Sequence, residues 1–347
     1  MEKYQKMANK VSYYSLLYIN ENTSALGNGV SGTYDEKIAK YVKCCRSLND
    51  SLVLHGQPKL KVVTNNSKLI NEIDSELECL EIKFATKVDP SIPFASAHCK
   101  LDVLNYFAGL LESNYSILLD SDVLCINNEA LIMKRAASGI PMIYDTTDQQ
   151  FQGCGTDRVC KDKEFLIKKS FSVKSFTSSG IWAGGEFIAG PASFYKTLYG
   201  ACKKIMPAYI ENHKKLFHNG DEMIVSCALE YLIQQKKIFA FDAGTSGLIG
   251  RYYDSSTNHV QHIWKYFKTN MFVHLPMDKD FLGTSKIDFK DHDSMIISLE
   301  NELRNKKTFI EATVRADKAL QKLTKVFYKI RAFIKKITGH GNAPVEY

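Results

Sequence analysis

The chain reads as an α/β protein, a mostly parallel sheet with helices on both faces. Three observations predict it. Strand-like and helix-like stretches alternate up to Asp120, the pattern that builds parallel sheets through crossover helices. The run Tyr115-Ser116-Ile117-Leu118-Leu119 is largely apolar without helical period, as a strand covered on both faces must be. That run then stops at Asp120-Ser121-Asp122, and apolar residues resume at Val123, Leu124 and Ile126. Ligands of open α/β sheets sit at the carboxyl ends of such strands.

Each element follows from local pattern. Tyr13–Ile19 is aromatic and apolar and reads as a first strand, opening into a turn-rich loop over residues 20–32. Asp35–Leu54 has helical spacing through Ile38, Tyr41, Val42, Cys45 and Leu48, and Gly56-Gln57-Pro58 breaks it. Leu60–Thr64 is a second strand. Ser67 is the expected N-cap of a helix reaching about Glu78, and Leu80–Phe84 a third strand. After Pro90 and Pro93, Ala95–Leu111 carries a helical stripe leading into the fourth strand. Ile140–Tyr144 is a short strand, and Asp145–Ser175 a long polar connection. Residues 178–191 form a glycine-containing strand, followed by helices over Ala192–Glu211 and from His218-Asn219-Gly220-Asp221-Glu222 to Leu232. Lys237–Asp242 and Asn270–Pro276 are late strands.

Composition sets outer limits. The 347 residues are 45% hydrophobic and 24% charged, enough for a full core. No apolar run approaches the roughly 20 residues that cross a bilayer, and Met1–Lys10 is too polar for a secretory leader. The expected location is therefore the cytoplasm. Nine scattered cysteines without a C-x-x-C pair point to reduced thiols. Cys154 and Cys160 with a nearby His are a weak metal alternative, since zinc-type spacing is missing. The net charge of +7 is uneven: residues 304–336 hold eleven Lys or Arg against Glu311 and Asp317.

In an extended chain, residues two apart project to one side, so Asp120 and Asp122 can converge. Carboxylates that close repel each other unless a hard cation such as Mg²⁺ or Mn²⁺ lies between them. The competing reading is an Asp-rich turn closing a strand. No G-x-G-x-x-G follows the first strand, and no G-x-x-x-x-G-K-S/T occurs anywhere. A metal is then the alternative for neutralising a diphosphate.

Further along, Gly184-Gly185 allows close backbone approach, Trp182 and Phe187 offer flat faces, and Glu186 lies between them, a set that suits a sugar ring. A buried strand with a bulge fits the same residues. Asp221 and Glu222 open a helix where the dipole favours anions, so capping accounts for one of them. His274 ends a short apolar run and is either a satisfied structural imidazole or a third metal ligand.

Together these residues resemble a GT-A glycosyltransferase. The motif ILLDSDVLCIN is similar to its counterpart in the glycogenin and bacterial lipooligosaccharide galactosyltransferase family, and WAGGEFIAGPASFY resembles the G-G-x-F-x-G strand of blood-group-type transferases. The resemblance covers roughly Tyr13–Leu282. It implies one catalytic domain over 1–300, with a nucleotide-binding half at about 11–127 and an acceptor half at about 128–290. It further implies Asp120, Asp122 and His274 as Mn²⁺ (or Mg²⁺) ligands. A nucleotide-sugar donor, with a UDP-sugar favoured, would meet Lys100, Ser121, Trp182, Gly184, Gly185, Glu186 and Lys279. Asp221 and Glu222 would serve the acceptor, a glycan or glycolipid. The usual H-x-x-G-x-x-K-P-W run is not preserved in FVHLPMDKDFLG, which puts Lys279 as a phosphate ligand in doubt. For Lys100 a solvated lysine is the competing reading. A non-catalytic sugar-nucleotide or carbohydrate-binding module and a metal-dependent nucleotidyl or phosphoryl transferase are the rival classes.

The segment 301–347 stands apart. Leu320, Leu323, Phe327, Ile330, Ile334 and Ile337 repeat at helical spacing among cations. That suits an anionic membrane surface met by residues 304–337, a coiled-coil contact between copies, or docking on the chain's own domain. Nucleic acid fits poorly, because aromatic stacking platforms are scarce. The membrane reading places the protein on the inner face, near a lipid-linked acceptor for surface polysaccharide or lipopolysaccharide.

Overall fold

The computed structural model describes residues 11–20, 30–92, 94–128, 130–147, 156–252, 264–284 and 286–303. The expected basic helix at 304–337 and Cys154 lie outside them. Strand β1 (Val11–Leu17) leads to helix α1 (Tyr34–Leu54), which starts at a capping box of Thr33 and Glu36. Then come β2 (Leu60–Thr64), α2 (Ser67–Ile73) and β3 (Glu78–Glu81). A 3₁₀ turn, Ala95–Cys99, runs into α3 (Lys100–Ala108) and β4 (Tyr115–Leu119).

β4 lies at the middle of a seven-stranded sheet of order β3-β2-β1-β4-β7-β6-β8, in which β7 (Ala183–Pro191) runs antiparallel between β4 and β6 (Met142–Asp145). The pairs β1–β2, β2–β3, β1–β4 and β6–β8 (Phe241–Asp242) are parallel. Side chains of β4 alternate between two cores. Ile117 and Leu119 pack with Val42 and Leu48 of α1, while Leu118 packs with Leu104 of α3 and residues of α6 (Ala192–Asn212) and α7 (Asp221–Gln234). Helices therefore cover both faces, as the unalternating apolar run requires.

A second, three-stranded sheet decides the site. It joins β5 (Val123–Cys125), β10 (Phe272–His274) and β9 (Ile249–Arg251) in the order β5-β10-β9. Leu124, Val273 and Leu275 pack it against Cys44 of α1 and against α9 (Lys279–Leu282).

Several elements differ from the sequence reading. Asn66 caps α2 in place of Ser67, its side chain accepting from Leu69 N, and the helix stops at Ile73. β3 lies earlier than Leu80–Phe84, because it pairs with β2 and ends where β2 ends, at Thr64 opposite Glu81. The polar connection after Asp145 contains helix α5 (Thr156–Phe171). Its buried stripe runs Val159, Lys163, Leu166, Ile167, and a lysine in the core position hides the period. Strand β9 was not anticipated.

Candidate metal centre

Asp120 and Asp122 do not converge by strand alternation. Asp120 follows β4, and a tight turn closed by Val123 N donating to Asp120 O (3.2 Å) carries Asp122. Pairing does the rest. β10 lies antiparallel to β5 with His274 opposite Val123, and Leu275 N donates to Asp122 O at 2.9 Å. β9 runs parallel to β10 with Arg251 opposite His274. On the other side, Asp120 N donates to Glu186 O of β7 at 3.2 Å.

One ligand atom from each of Asp120, Asp122 and His274 falls within 4.8 Å of the others. His274 Nε2 is 3.2 Å from Asp122 Oδ1, and its Nδ1 is 3.0 Å from Glu186 Oε1. Burial opposes charge on this imidazole, but Asp122 and Glu186 outweigh it and raise its pKa to about 9. Burial would raise Asp122, yet Lys279 and His274 hold it well below the usual carboxylate range. Lys279 Nζ forms an ion pair with Asp122 and donates to Pro276 O at 3.0 Å.

Lys100 is not a solvated lysine. Its Nζ lies 2.8 Å from Asp120 Oδ1, 3.4 Å from Asp221 Oδ2 and 3.0 Å from Gly185 O. Lys100 thus ties the first aspartate to the start of α7. There Asp221 and Glu222 differ. Burial raises the Asp221 carboxyl above its ordinary value, with Lys100 opposing. Glu222 accepts from Gly185 N (2.9 Å), Trp182 Nε1 (3.1 Å) and Arg251 Nη2 (3.1 Å). Burial opposes charge on Glu222, but Arg251 and His218 outweigh it and lower its pKa.

The expected sugar platform is not formed by Trp182 and Phe187. Phe187 is fully buried in the core between β4 and α1, and Trp182 is buried with its indole N–H turned to Glu222. Nor is Glu186 open to a substrate: its carboxylate is fully buried between Arg251 and His274. The glycines serve these ion pairs. A Cβ at Gly184 would strike the Glu186 carboxylate and come within 3.0 Å of Arg251 Nη2, and one at Gly185 would sit 2.7 Å from Lys100 Nζ. Ser121 is buried in the turn between the two aspartates. Arg251, which the sequence reading missed, carries no motif; its only trace is a cation in a short apolar stretch.

The donor set suits a divalent cation. Oxygens of two aspartates with one imidazole nitrogen are acceptable to Mn²⁺ or Mg²⁺. Among the described residues, five carboxylates (Asp120, Asp122, Glu186, Asp221, Glu222) stand around them against three fixed cations (Lys100, Lys279, Arg251). That leaves negative charge for a divalent ion to cancel.

No protein-family model matches the sequence, and no curated protein matches it. Among solved structures, the chain is similar to the apo form of mouse xyloside xylosyltransferase 1, with a TM-score of 0.43 and 10% identity, over 76% of this chain and 97% of that one. The architecture is mixed α/β, with a seven-stranded sheet in which only β7 runs against the other strands and an acid pair follows β4. No helix among the described residues is long and apolar enough to cross a membrane.

Proposed function

We propose that the protein is a metal-dependent glycosyltransferase that moves a sugar from a nucleotide-sugar donor, a UDP-hexose first, to a hydroxyl of a glycan or glycolipid. The observation that carries this reading is the convergence of Asp120, Asp122 and His274 at the carboxyl end of β4. These residues would hold Mn²⁺ or Mg²⁺. When bound, the cation supplies Lewis-acid neutralisation of the charge that grows on the departing diphosphate.

The chain's own groups supply the rest. Lys100 and Lys279 each lie on an aspartate of the pair. With those carboxylates holding a cation, both ammonium groups would be available to phosphate oxygens. Asp221, whose carboxyl is raised by burial, is the better proton acceptor of the acidic pair, and Glu222 is saturated by three donors. In an inverting reaction Asp221 takes the proton of the acceptor hydroxyl as the new glycosidic bond forms; in a retaining one it positions the acceptor. Ser121, Gly184 and Gly185 shape the wall that the donor meets. The motif ILLDSDVLCIN resembles its counterpart in the glycogenin and lipooligosaccharide galactosyltransferase family.

The basic segment 304–337 suits an anionic membrane surface. That brings a lipid-linked acceptor of surface polysaccharide or lipopolysaccharide synthesis within reach. Vesicle flotation of the full chain and of a form ending at Leu303 tests this, and undiminished binding by the shorter form refutes it.

The function itself is tested by incubating the protein with UDP-, GDP- and ADP-sugars in Mn²⁺, Mg²⁺ or EDTA. Metal-dependent release of free sugar and nucleoside diphosphate is expected. Full activity in EDTA overturns the reading. Release of nucleoside monophosphate points instead to a nucleotidyl or phosphoryl transferase, and donor binding without turnover to a binding module.

A further inference from the structure

The imidazole of the candidate centre is gripped from behind by a pair of buried ions. Glu186 has no solvent exposure. Arg251 donates to it with two parallel bonds, Nε to Oε1 at 2.5 Å and Nη2 to Oε2 at 2.6 Å. Oε1 also lies 3.0 Å from His274 Nδ1. A carboxylate forked to a guanidinium accepts at both oxygens, so the hydrogen between Oε1 and Nδ1 must belong to the histidine. Nε2 is then the nitrogen left to face the aspartates, 3.2 Å from Asp122 Oδ1.

We infer that Glu186 and Arg251 are positioning residues that fix the ring orientation and tautomer of His274 for a cation, and that Arg251 couples this orientation to Glu222. The inference rests on the metal reading of the site. Three strands build the arrangement together: β7 supplies Glu186, β10 supplies His274, and β9 sets Arg251 beside His274 in register. Gly184 leaves the room, since a Cβ there would collide with the Glu186 carboxylate and crowd Arg251 Nη2 at 3.0 Å. A salt bridge for stability alone does not explain the third contact. Buried ion pairs are weak contributors to stability, and Arg251 already satisfies both Glu186 oxygens before His274 adds its bond. The same Nη2 that donates to Glu186 Oε2 also reaches Glu222 Oε1 at 3.1 Å, so one side chain joins the carboxylate behind the metal-facing histidine to the acceptor-side carboxylate.

Mn²⁺ alone is the probe, titrated against the full chain and followed by the electron paramagnetic resonance of the free ion. Glu186→Gln offers His274 either a donor or an acceptor and lets the tautomer slip; its affinity is expected to be about 10- to 100-fold weaker. Glu186→Gln/Arg251→Met removes both charges of the pair, leaves Glu222 its donors Gly185 N and Trp182 Nε1, and should show the same loss of affinity. In the wild type loaded with diamagnetic Cd²⁺, nitrogen-15 spectra of labelled histidine should show a proton on His274 Nδ1 and none on Nε2. Wild-type affinity in both variants, or a proton on Nε2 in the loaded protein, overturns the inference and leaves the metal reading standing. A wild type that binds no Mn²⁺ overturns both.

Discussion

Two buried clusters of charge in this chain use the same side-chain types to opposite ends. Lys163 and Glu230 are both fully buried and 2.7 Å apart. Lys163 also donates to Ile181 O (2.6 Å), and Glu230 accepts from the Ser178 and Ser179 hydroxyls, each at 2.9 Å. One cation meets one anion, and the neighbouring loop fills the remaining hydrogen-bond positions. The cluster around Asp122 is larger and, among the described residues, unbalanced, with five carboxylates sharing three fixed cations and His274 drawn to a raised pKa. A closed neutral pair asks nothing of the solvent. An open, negative one is completed from outside, by protons or by a metal.

Breaking the closed pair should have the largest effect on the molecule. Lys163→Met strands Glu230 without a counter-charge and is expected to cost about 3–5 kcal/mol in chemical denaturation. Lys163→Met/Glu230→Leu should recover part of that, because it removes the uncompensated charge, while Ile181 O and the Ser178 and Ser179 hydroxyls lose their partners. The fraction that stays folded should bind Mn²⁺ as the wild type does. A single variant of wild-type stability would mean that the pair is no girder, and the contrast would fail.

The open cluster should respond in the other currency. Asp120 is partly exposed, and Lys100 retains Asp221 and Gly185 O as partners when it is removed. Asp120→Asn should therefore leave the melting temperature near that of the wild type. Donor turnover should fall about 10³-fold, the several kcal/mol expected of lost Lewis-acid stabilisation. Turnover within a factor of about ten of the wild type (~1.4 kcal/mol, from the rate relation) would remove the metal from the mechanism.

What the sequence discloses follows the same division. The acid pair is legible because an apolar strand halts on it, and His274 because it closes a short apolar run. Both signals are local. The roles of Glu186 and Lys100 are not legible: Glu186 stands between two aromatics, and nothing nearby announces Arg251, 65 residues on in the chain. Lys163 misleads in the opposite direction, since a core lysine erases the stripe of α5 and its partner lies on another helix. The succession of elements up to β4 and their parallel pairing are legible from alternation. The β5-β10-β9 sheet that assembles the site is built from strands of three residues, too short to carry a period.

Metal binding offers a smaller, sharper comparison. Mn²⁺ at about 100 times its dissociation constant should stabilise the wild type by ~2.7 kcal/mol. The stabilisation should persist in Lys163→Met/Glu230→Leu and disappear in Asp120→Asn at the same concentration. Equal stabilisation of all three would place the bound ion somewhere other than the unbalanced cluster.

The smallest effect concerns strain beside the open cluster. Phe94 adopts φ 56°, ψ 31° ahead of the 3₁₀ turn, a left-handed conformation that a bulky side chain adopts at a cost of about 1–2 kcal/mol. Ser172 and Lys236, the other non-glycine residues with positive φ among those described, each follow the end of a helix, where that conformation is common. Phe94 begins a turn instead. Its ring is 48% exposed and lies nearly parallel to His218, with centroids 6.4 Å apart, while His218 Nε2 is 3.8 Å from Glu222 Oε2. Phe94→Asn relieves the strain and gives up a half-buried ring, two contributions of similar size. The net change in unfolding free energy is expected to stay within about 1 kcal/mol. A loss like that of a core phenylalanine, about 3 kcal/mol or more, would show that packing holds the ring there; a near-zero change would show that its exposed position beside the carboxylates is not maintained for stability.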